Sequence, residues 1–266
     1  MAGSRILVTG AMGRVAAQLM PALEARYELR LFDRSGADGD GSGAPLILGE
    51  LTDHQVLDQV LEGVDAVVHL AGNPDPTAPW DELQEPNIEG FVALLATARQ
   101  HGVRRVVFAS SIHAMGVYEG SGRWPIDPAW PPAPCCAYGA TKVFDEAMAR
   151  AYAYQSGMSL IGLRLGLCTP RASQAEAVAG WLRPSDLQQI VLGALATDVQ
   201  FGVYHAVSAP SRRRWDIGTT IRDLAYEPES DDGPEEEARR RRVADRHLST
   251  CAPRGRTAPF RSAGTS

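Results

Sequence analysis

Tyr138 and Lys142 stand four residues apart in the run AYGATKVFDEAMA, and Lys142 is the one lysine in a chain of 266 residues that otherwise carries its positive side chains as arginine. A sequence with this bias that keeps a single lysine marks a position where a compact ammonium on a flexible stem is required and a planar guanidinium will not serve. Spaced at i and i+4, the two side chains share one helix face. A free phenol has a pKa near 10, so a tyrosine acting as a base at neutral pH needs about 4 kcal/mol of assistance, and a neighbouring ammonium can supply much of it. Ser111, closing the apolar run RRVVFASS, adds a hydroxyl that could fix a reacting oxygen, with Ser110 as the alternative. The chemistry such a set could do is removal of a proton from a substrate hydroxyl while hydride leaves the same carbon. His113, two residues further on, reads as a wall or hydrogen-bonded residue of the same pocket in preference to a second base.

The hydride needs an acceptor, and the start of the chain supplies a place for one. The run RILVTGAMGRVA ends a strand-like segment in Gly10 and Gly13 and enters a helical pattern at once. Glycines at such a turn let the backbone approach a pyrophosphate, which then rests on the positive end of the helix. Met12, Arg14 and Val15 lie within the same turn. Asp33 follows about 20 residues later at the end of ELRLFD, the spacing at which an acidic group meets the ribose hydroxyls of a dinucleotide. A carboxylate there repels a 2'-phosphate, so NAD is expected over NADP, with the adjacent Arg34 the residue that could accommodate the phosphate.

These groups must be held by a scaffold, and the pattern says which. Apolar runs of four to seven residues (RILVT, ELRLF, PLILG, DAVVHL, RRVVFAS, SLIGLRLG) alternate with helical segments at Val15 to Arg26, His54 to Leu61, Ile88 to Gln100 and Thr141 to Gln155. Such runs suit strands buried on both faces and joined by right-handed crossovers. The expectation is an α/β Rossmann-type doubly wound parallel sheet over residues 1–226, with a helix at Arg183 to Ala196, a strand at GVYHAV, and a small substrate-binding portion within 166–226. SGADGDGSGA, from Ser35 to Ala44, reads as a flexible loop, and Trp124 to Pro134 as a proline-rich connection. Residues 227–266 are acidic, then arginine-rich, then mixed Pro, Gly, Ser and Thr, and are expected to be disordered because they cannot bury enough apolar area to offset ordering. A formal charge of -6 excludes a general basic footprint for nucleic acid. No apolar stretch approaches a membrane span, so a cytoplasmic protein is expected. Cys135, Cys136, Cys168 and Cys251 lack C-x-x-C spacing and read as reduced structural thiols, with no metal site expected.

Taken together, TGAMGRVA, Asp33, HLAG, NIEG with Asn87 and Gly90, FASS, and the Tyr138 and Lys142 pair resemble the extended short-chain dehydrogenase/reductases of the NAD-dependent epimerase/dehydratase family over roughly residues 4–226. The resemblance implies that Leu70, Ala71 and Gly72 pass beside the cofactor, that Glu50 and Leu51 stand where an Asp-Leu pair frames the adenine, and that Asn87 braces the active site. Within that family, FASSIHAMGVY, YGATKVFDEAMARAY, LRLGLCTP and WLRPSDLQQIV are similar to the bacterial uronate dehydrogenases, which oxidise the anomeric carbon of a hexuronic acid.

The substrate shell departs from that pattern. Ile112 stands where those enzymes have an asparagine, Pro74 stands near a substrate-binding serine, and the arginine that clamps the carboxylate falls near Glu176. Arg171 is the candidate replacement, Asn73 a candidate polar contact or a turn residue, and Trp181 a candidate wall. The expected activity is an NAD-dependent dehydrogenase of a sugar or sugar-acid hydroxyl. The alternatives are a nucleotide-sugar epimerase or dehydratase that recycles bound cofactor, and a non-catalytic dinucleotide sensor. Family members commonly dimerise through the Asn87 and Tyr138 helices, and Phe144, Ala147, Met148, Ala151 and Tyr152 form an apolar stripe suited to an isologous homodimer.

Overall fold

Each apolar run of the first 206 residues becomes one strand of a seven-stranded sheet in which every neighbouring pair is parallel. The computed structural model describes residues 3–36, 44–173 and 179–229. In chain order these form β1 (Arg5–Thr9), α1 (Arg14–Glu24), β2 (Glu28–Asp33), β3 (Leu46–Leu48), α2 (His54–Leu61), β4 (Ala66–His69), α3 (Trp80–Leu83), a wide π-type turn (Gln84–Glu89) and α4 (Gly90–Gln100). There follow β5 (Arg105–Ser111), a 3₁₀ segment (Ile112–Ser121), α5 (Ala137–Ser156), β6 (Ser159–Leu165), β7 (Leu167–Cys168), β8 (Trp181–Leu182), α6 (Pro184–Ala196), β9 (Phe201–Ala206), a short 3₁₀ turn (Ala209–Ser211) and α7 (Gly218–Leu224). The sheet runs β3-β2-β1-β4-β5-β6-β9, and β7 pairs with β8 apart from it.

Alternation along the strands divides the interior in two. Ile6 and Val8 of β1, Val68 of β4 and Ile161 and Leu163 of β6 point toward α1 and α6. Leu7, Val67, Val106, Phe108 and Leu160 point to the other face, against α2, α4 and α5. Both faces are therefore dry, which is why these strands read as unbroken apolar runs. The order reverses between β1 and β4, and a crevice opens outside the carboxyl ends of strands at such a point.

The expected helices at His54 to Leu61 and Arg183 to Ala196 are present, the second beginning at Pro184. The Tyr138 helix starts at Ala137, four residues before the periodic pattern suggests. The π-type turn before α4, the 3₁₀ segment after Ser111, the β7–β8 pair and α7 had no signal in apolar periodicity. The tail expected to be disordered lies outside the described residues from 230 onward, as do Glu176 and most of the loop 35–44.

Two histidines, His69 and His205, are buried in this interior at 3% and 0% exposure. Burial, with Lys142 adding repulsion for the first and Arg164 for the second, lowers each pKa to about 3. Unfolded chains protonate these imidazoles below about 6.5 while the folded protein does not, so stability is expected to fall as pH drops from 6.5 toward 3. Asp145, raised by burial from 3.8 to about 6, and Asp186, also raised by burial, act in the opposite sense as pH falls toward 3.8, so the loss is expected to be clearest between pH 7 and pH 5, where the two imidazoles take up protons on unfolding. Urea midpoints recorded between pH 7 and pH 5 check this. A midpoint that does not move would show that the imidazoles take up protons inside the fold.

Candidate active site

The phosphate turn comes first. Gly10 has φ +68°, and a Cβ there would lie 2.6 Å from the backbone nitrogen of Ala71, so the turn passes against the Leu70–Ala71 segment as only glycine permits. Gly13 caps α1 with no side-chain hydrogen bond, and the first turn of that helix contains no acidic residue. Its amides and the positive end of the dipole are thus left for an anion. Met12 donates its backbone N–H to Asp33 Oδ2 at 2.9 Å, and Ser35 N–H donates to Oδ1 at 3.2 Å, so the carboxylate is fixed at the end of β2 beside the turn. Arg14 and Arg34 are exposed and Val15 half-buried around it. This cradle fits a dinucleotide whose pyrophosphate lies on α1 and whose ribose reaches Asp33.

Across the switch point, Thr9 Oγ1 and His69 Nδ1 lie 2.7 Å apart, and Ala71 N–H donates to the same threonine oxygen at 3.4 Å. Asn87, on the π-type turn and 2% exposed, accepts from Asn73 N–H at 2.7 Å and donates to Asn73 O and to Thr141 Oγ1 at 3.1 Å each. It therefore ties the segment after β4 to α5. A π-type turn at such a place is a frequent mark of a functional site. A Cβ at Gly72 would lie 2.8 Å from Asn87 Oδ1 and 4.0 Å from Lys142 Nζ, so Gly72, Asn87 and Lys142 surround one point. Asn73 serves its turn: its Oδ1 accepts from Asp75 N–H at 3.0 Å. Glu50 is exposed, while Leu51, 7% exposed, tucks its side chain beneath Gly90 of α4.

The reaction centre forms where α5 meets the end of β5. Gly139, next to Tyr138, lies so close to His113 that an added Cβ would be 2.5 Å from its carbonyl oxygen. This contact brings the start of α5 against the segment after Ser111, and the His113 and Tyr138 rings meet edge-on at 5.7 Å. Ser111, 5% exposed, accepts His113 N–H on Oγ at 3.2 Å, which leaves its own proton available to a ligand. Ser110 is committed elsewhere, donating to Glu146 Oε1 at 2.6 Å, so the choice between the two serines falls to Ser111.

Lys142, 5% exposed, places Nζ 5.9 Å from the centre of the Tyr138 ring and 3.1 Å from Asp145 Oδ2. Burial works against its charge, but Asp145, Tyr138 and Glu146 together outweigh it and hold the pKa above the ordinary value. The lysine is an ammonium at any physiological pH. Behind it, Glu146 takes a bidentate pair from Arg164, with Nε and Nη2 each at 2.8 Å. Arg164 also donates to Pro128 O at 3.1 Å, binding α5, β5, β6 and the proline-rich connection into one unit. Neither Glu146 nor Arg164 stood out in the sequence reading. The signal was present, since Tyr138, Lys142 and Glu146 continue the same four-residue spacing.

The substrate candidates separate. Ile112 is 3% exposed and packs in the core near Gly180, so it offers no polar replacement for an asparagine. Arg171 is exposed, and its carbonyl accepts from Thr169 Oγ1 at 2.8 Å. Trp181 is half-buried and donates Nε1–H to Thr169 O at 2.8 Å, which anchors the β7–β8 pair.

A parallel sheet with an anion-ready glycine turn at its switch point, and a tyrosine–lysine–serine centre beside it, defines a dinucleotide-binding Rossmann protein of the dehydrogenase type. The profile of the NAD dependent epimerase/dehydratase family matches residues 6–226, and the chain belongs to that family. It is 33% identical over 230 residues to uronate dehydrogenase of Pseudomonas putida, covering 85% of this chain and 84% of that one. It is 29% identical over 242 residues to the NAD-dependent glucose-6-phosphate dehydrogenase of Haloferax volcanii, covering 84% and 92%. The solved uronate dehydrogenase of Agrobacterium tumefaciens superposes with a TM-score of 0.80 at 30% identity, covering 92% of this chain and 90% of that one.

Asp33 can be tested by exchange. Asp33→Ser keeps a short polar side chain but removes the charge, and a hydrogen bond to a charged group contributes roughly 1.5–3 kcal/mol. The ratio of kcat/KM for NAD over NADP is expected to fall about 10- to 100-fold. Steady-state kinetics with both cofactors check it, and an unchanged ratio would remove Asp33 from the ribose site.

Proposed function

We propose that the protein is an NAD-dependent dehydrogenase that oxidises a hydroxyl of a sugar or sugar acid. The observation that carries this reading is a charged, buried Lys142 beside Tyr138, next to a Ser111 hydroxyl whose proton is unspent. The relatives point the same way: they are named for glucose 6-phosphate, for uronates and for L-arabinose, and an Agrobacterium uronate dehydrogenase mutant has been solved complexed with NAD. NAD, when bound, supplies the hydride acceptor. Gly10, Met12, Gly13 and Asp33 hold its phosphate and ribose ends, and Gly72, Asn87 and Lys142 mark the inner end of the cleft. Tyr138 removes the hydroxyl proton, Lys142 stabilises the phenolate that makes this possible, and Ser111 donates a hydrogen bond that fixes the reacting oxygen.

The lining widens the substrate class beyond uronates. With Ile112 turned into the core, the pocket has lost a polar contact of the uronate-specific pattern. A neutral or phosphorylated aldose is as compatible as a hexuronate. The stripe Phe144, Ala147, Met148, Ala151 and Tyr152 has Ala147 and Ala151 exposed and Met148 and Tyr152 packed partly on the core, which supports an isologous dimer about α5. No helix among the described residues is long and apolar enough to cross a membrane, which is compatible with a cytoplasmic enzyme.

The test is NADH formation from NAD with glucose 6-phosphate, glucuronate, galacturonate, L-arabinose and glucose. Turnover of one class, abolished in the Tyr138 variant below, establishes the reading. Tight NAD binding with no turnover of any of them would overturn it in favour of cofactor recycling within the site. Light scattering of the eluted protein decides the dimer.

A further inference from the structure

Outside the proton-transfer set, one cluster of reactive side chains has no part in the proposed chemistry. Cys135 Sγ and Cys136 Sγ each lie 3.5 Å from His113 Nδ1, and the two sulfurs are 4.0 Å apart. All three residues are half-buried. A tetrahedral zinc ion with bonds of about 2.3 Å to sulfur and 2.0–2.1 Å to nitrogen separates two thiolates by about 3.8 Å and a thiolate from an imidazole by about 3.6 Å. The observed triangle has those edges.

The triangle is built on fixed backbone. Ala133 N–H donates to Ala114 O at 2.9 Å, Val117 N–H to Ala133 O at 3.0 Å and Cys135 N–H to His113 O at 3.3 Å, so the strap carrying the cysteines is laced along the 3₁₀ segment carrying the histidine. Cys136 is the N-cap of α5, where Gly139 N–H donates to its sulfur at 3.3 Å. A sulfur at a helix N-terminus favours the thiolate that a metal requires. Cys168, by contrast, lies in surroundings whose burial pushes its thiol up to about 12.

We propose that His113, Cys135 and Cys136 form a binding site for a thiophilic divalent cation of the zinc type, with three protein ligands and a fourth position open to solvent. For Cys135 and Cys136 this reading departs from the expectation of structural thiols and no metal site. Because the His113 ring abuts that of Tyr138, the ion would sit on the wall of the reaction centre and lock it. The proposal does not depend on which hydroxyl the protein oxidises.

The probe is Co²⁺ titrated anaerobically into the full chain with its thiols reduced. The expected result is thiolate-to-cobalt charge-transfer absorption in the near ultraviolet, removed by an equivalent of Zn²⁺ and missing in Cys135→Ser/Cys136→Ser. No charge-transfer band, or a band that survives in the double variant, overturns the proposal. A measurement on the unaltered protein guards against a variant that fails to fold. Zn²⁺ is expected to slow iodoacetamide alkylation of Cys135 and Cys136 by about tenfold or more, since metal-bound thiolate is withdrawn from reaction. Equal rates with and without Zn²⁺, read peptide by peptide, overturn the site as firmly.

Discussion

Tyr138→Phe is expected to lower kcat by about 10³-fold while NAD binding changes little, since a positioned acid–base group contributes roughly 10²–10⁴-fold to such a reaction. The substitution deletes one oxygen. The ring remains, with its edge contact to His113 and its place 5.9 Å from Lys142 Nζ, so packing at the start of α5 is preserved. Loss of turnover with retained cofactor affinity would therefore isolate proton transfer from binding. The check is NADH appearance at saturating substrate alongside calorimetric titration of NAD. A variant that keeps more than about a tenth of wild-type kcat would assign the proton to another group, because one tenth corresponds to only about 1.4 kcal/mol.

The second large effect is on stability. Glu146→Ala is expected to cost about 3–5 kcal/mol, the usual penalty for removing one partner of a buried ion pair and stranding the other. Arg164, 3% exposed, would be left with its charge in the interior and only the Pro128 carbonyl to receive it, and Ser110 would lose its acceptor. Replacing both partners by apolar residues of similar volume, Glu146→Leu with Arg164→Met, is expected to recover most of that loss, because no unpaired charge remains. Urea unfolding of the two variants distinguishes the cases. If the single variant is as stable as wild type, the pair is a passenger and α5 is held by its apolar face alone. If the double variant is no better than the single one, the role of the pair is geometric, Glu146 through Ser110 and Arg164 through Pro128, and not a matter of charge.

Much of this architecture was legible before any coordinate. Six apolar runs and the expected strand at GVYHAV became seven strands, most legibly in the central ones, because a strand covered on both faces has no polar alternation to confuse its reading. Asp33, Gly10 and Gly13 were legible because each answers a local backbone or charge requirement at a fixed distance from β1. Lys142 announced itself by rarity. The 3₁₀ segment from Ile112 to Ser121 was invisible because its residues have no helical period and are held by the strap at Ala133 to Cys135, some twenty residues away. Ile112 shows the limit in another form. By resemblance it occupies the place of an asparagine in the substrate shell, whereas the backbone turn after Ser111 packs its side chain in the core. The pairing of Cys135 and Cys136 with His113 had the same cause: it requires two loops to be laced together, and no sequence spacing records that.

The solitary lysine has a practical consequence. Apart from the α-amino group, the chain offers an acylating or carbamylating reagent one amine, and that amine is 5% exposed beside the tyrosine. Chemical modification, normally a blunt instrument, here addresses a single side-chain amine. Because Asp145 and Tyr138 hold that amine as an ammonium, the rate of modification at a fixed pH reports the scarce neutral amine together with access to the cleft, and protection from it by NAD would map the occupied cleft onto one atom without any mutation being made.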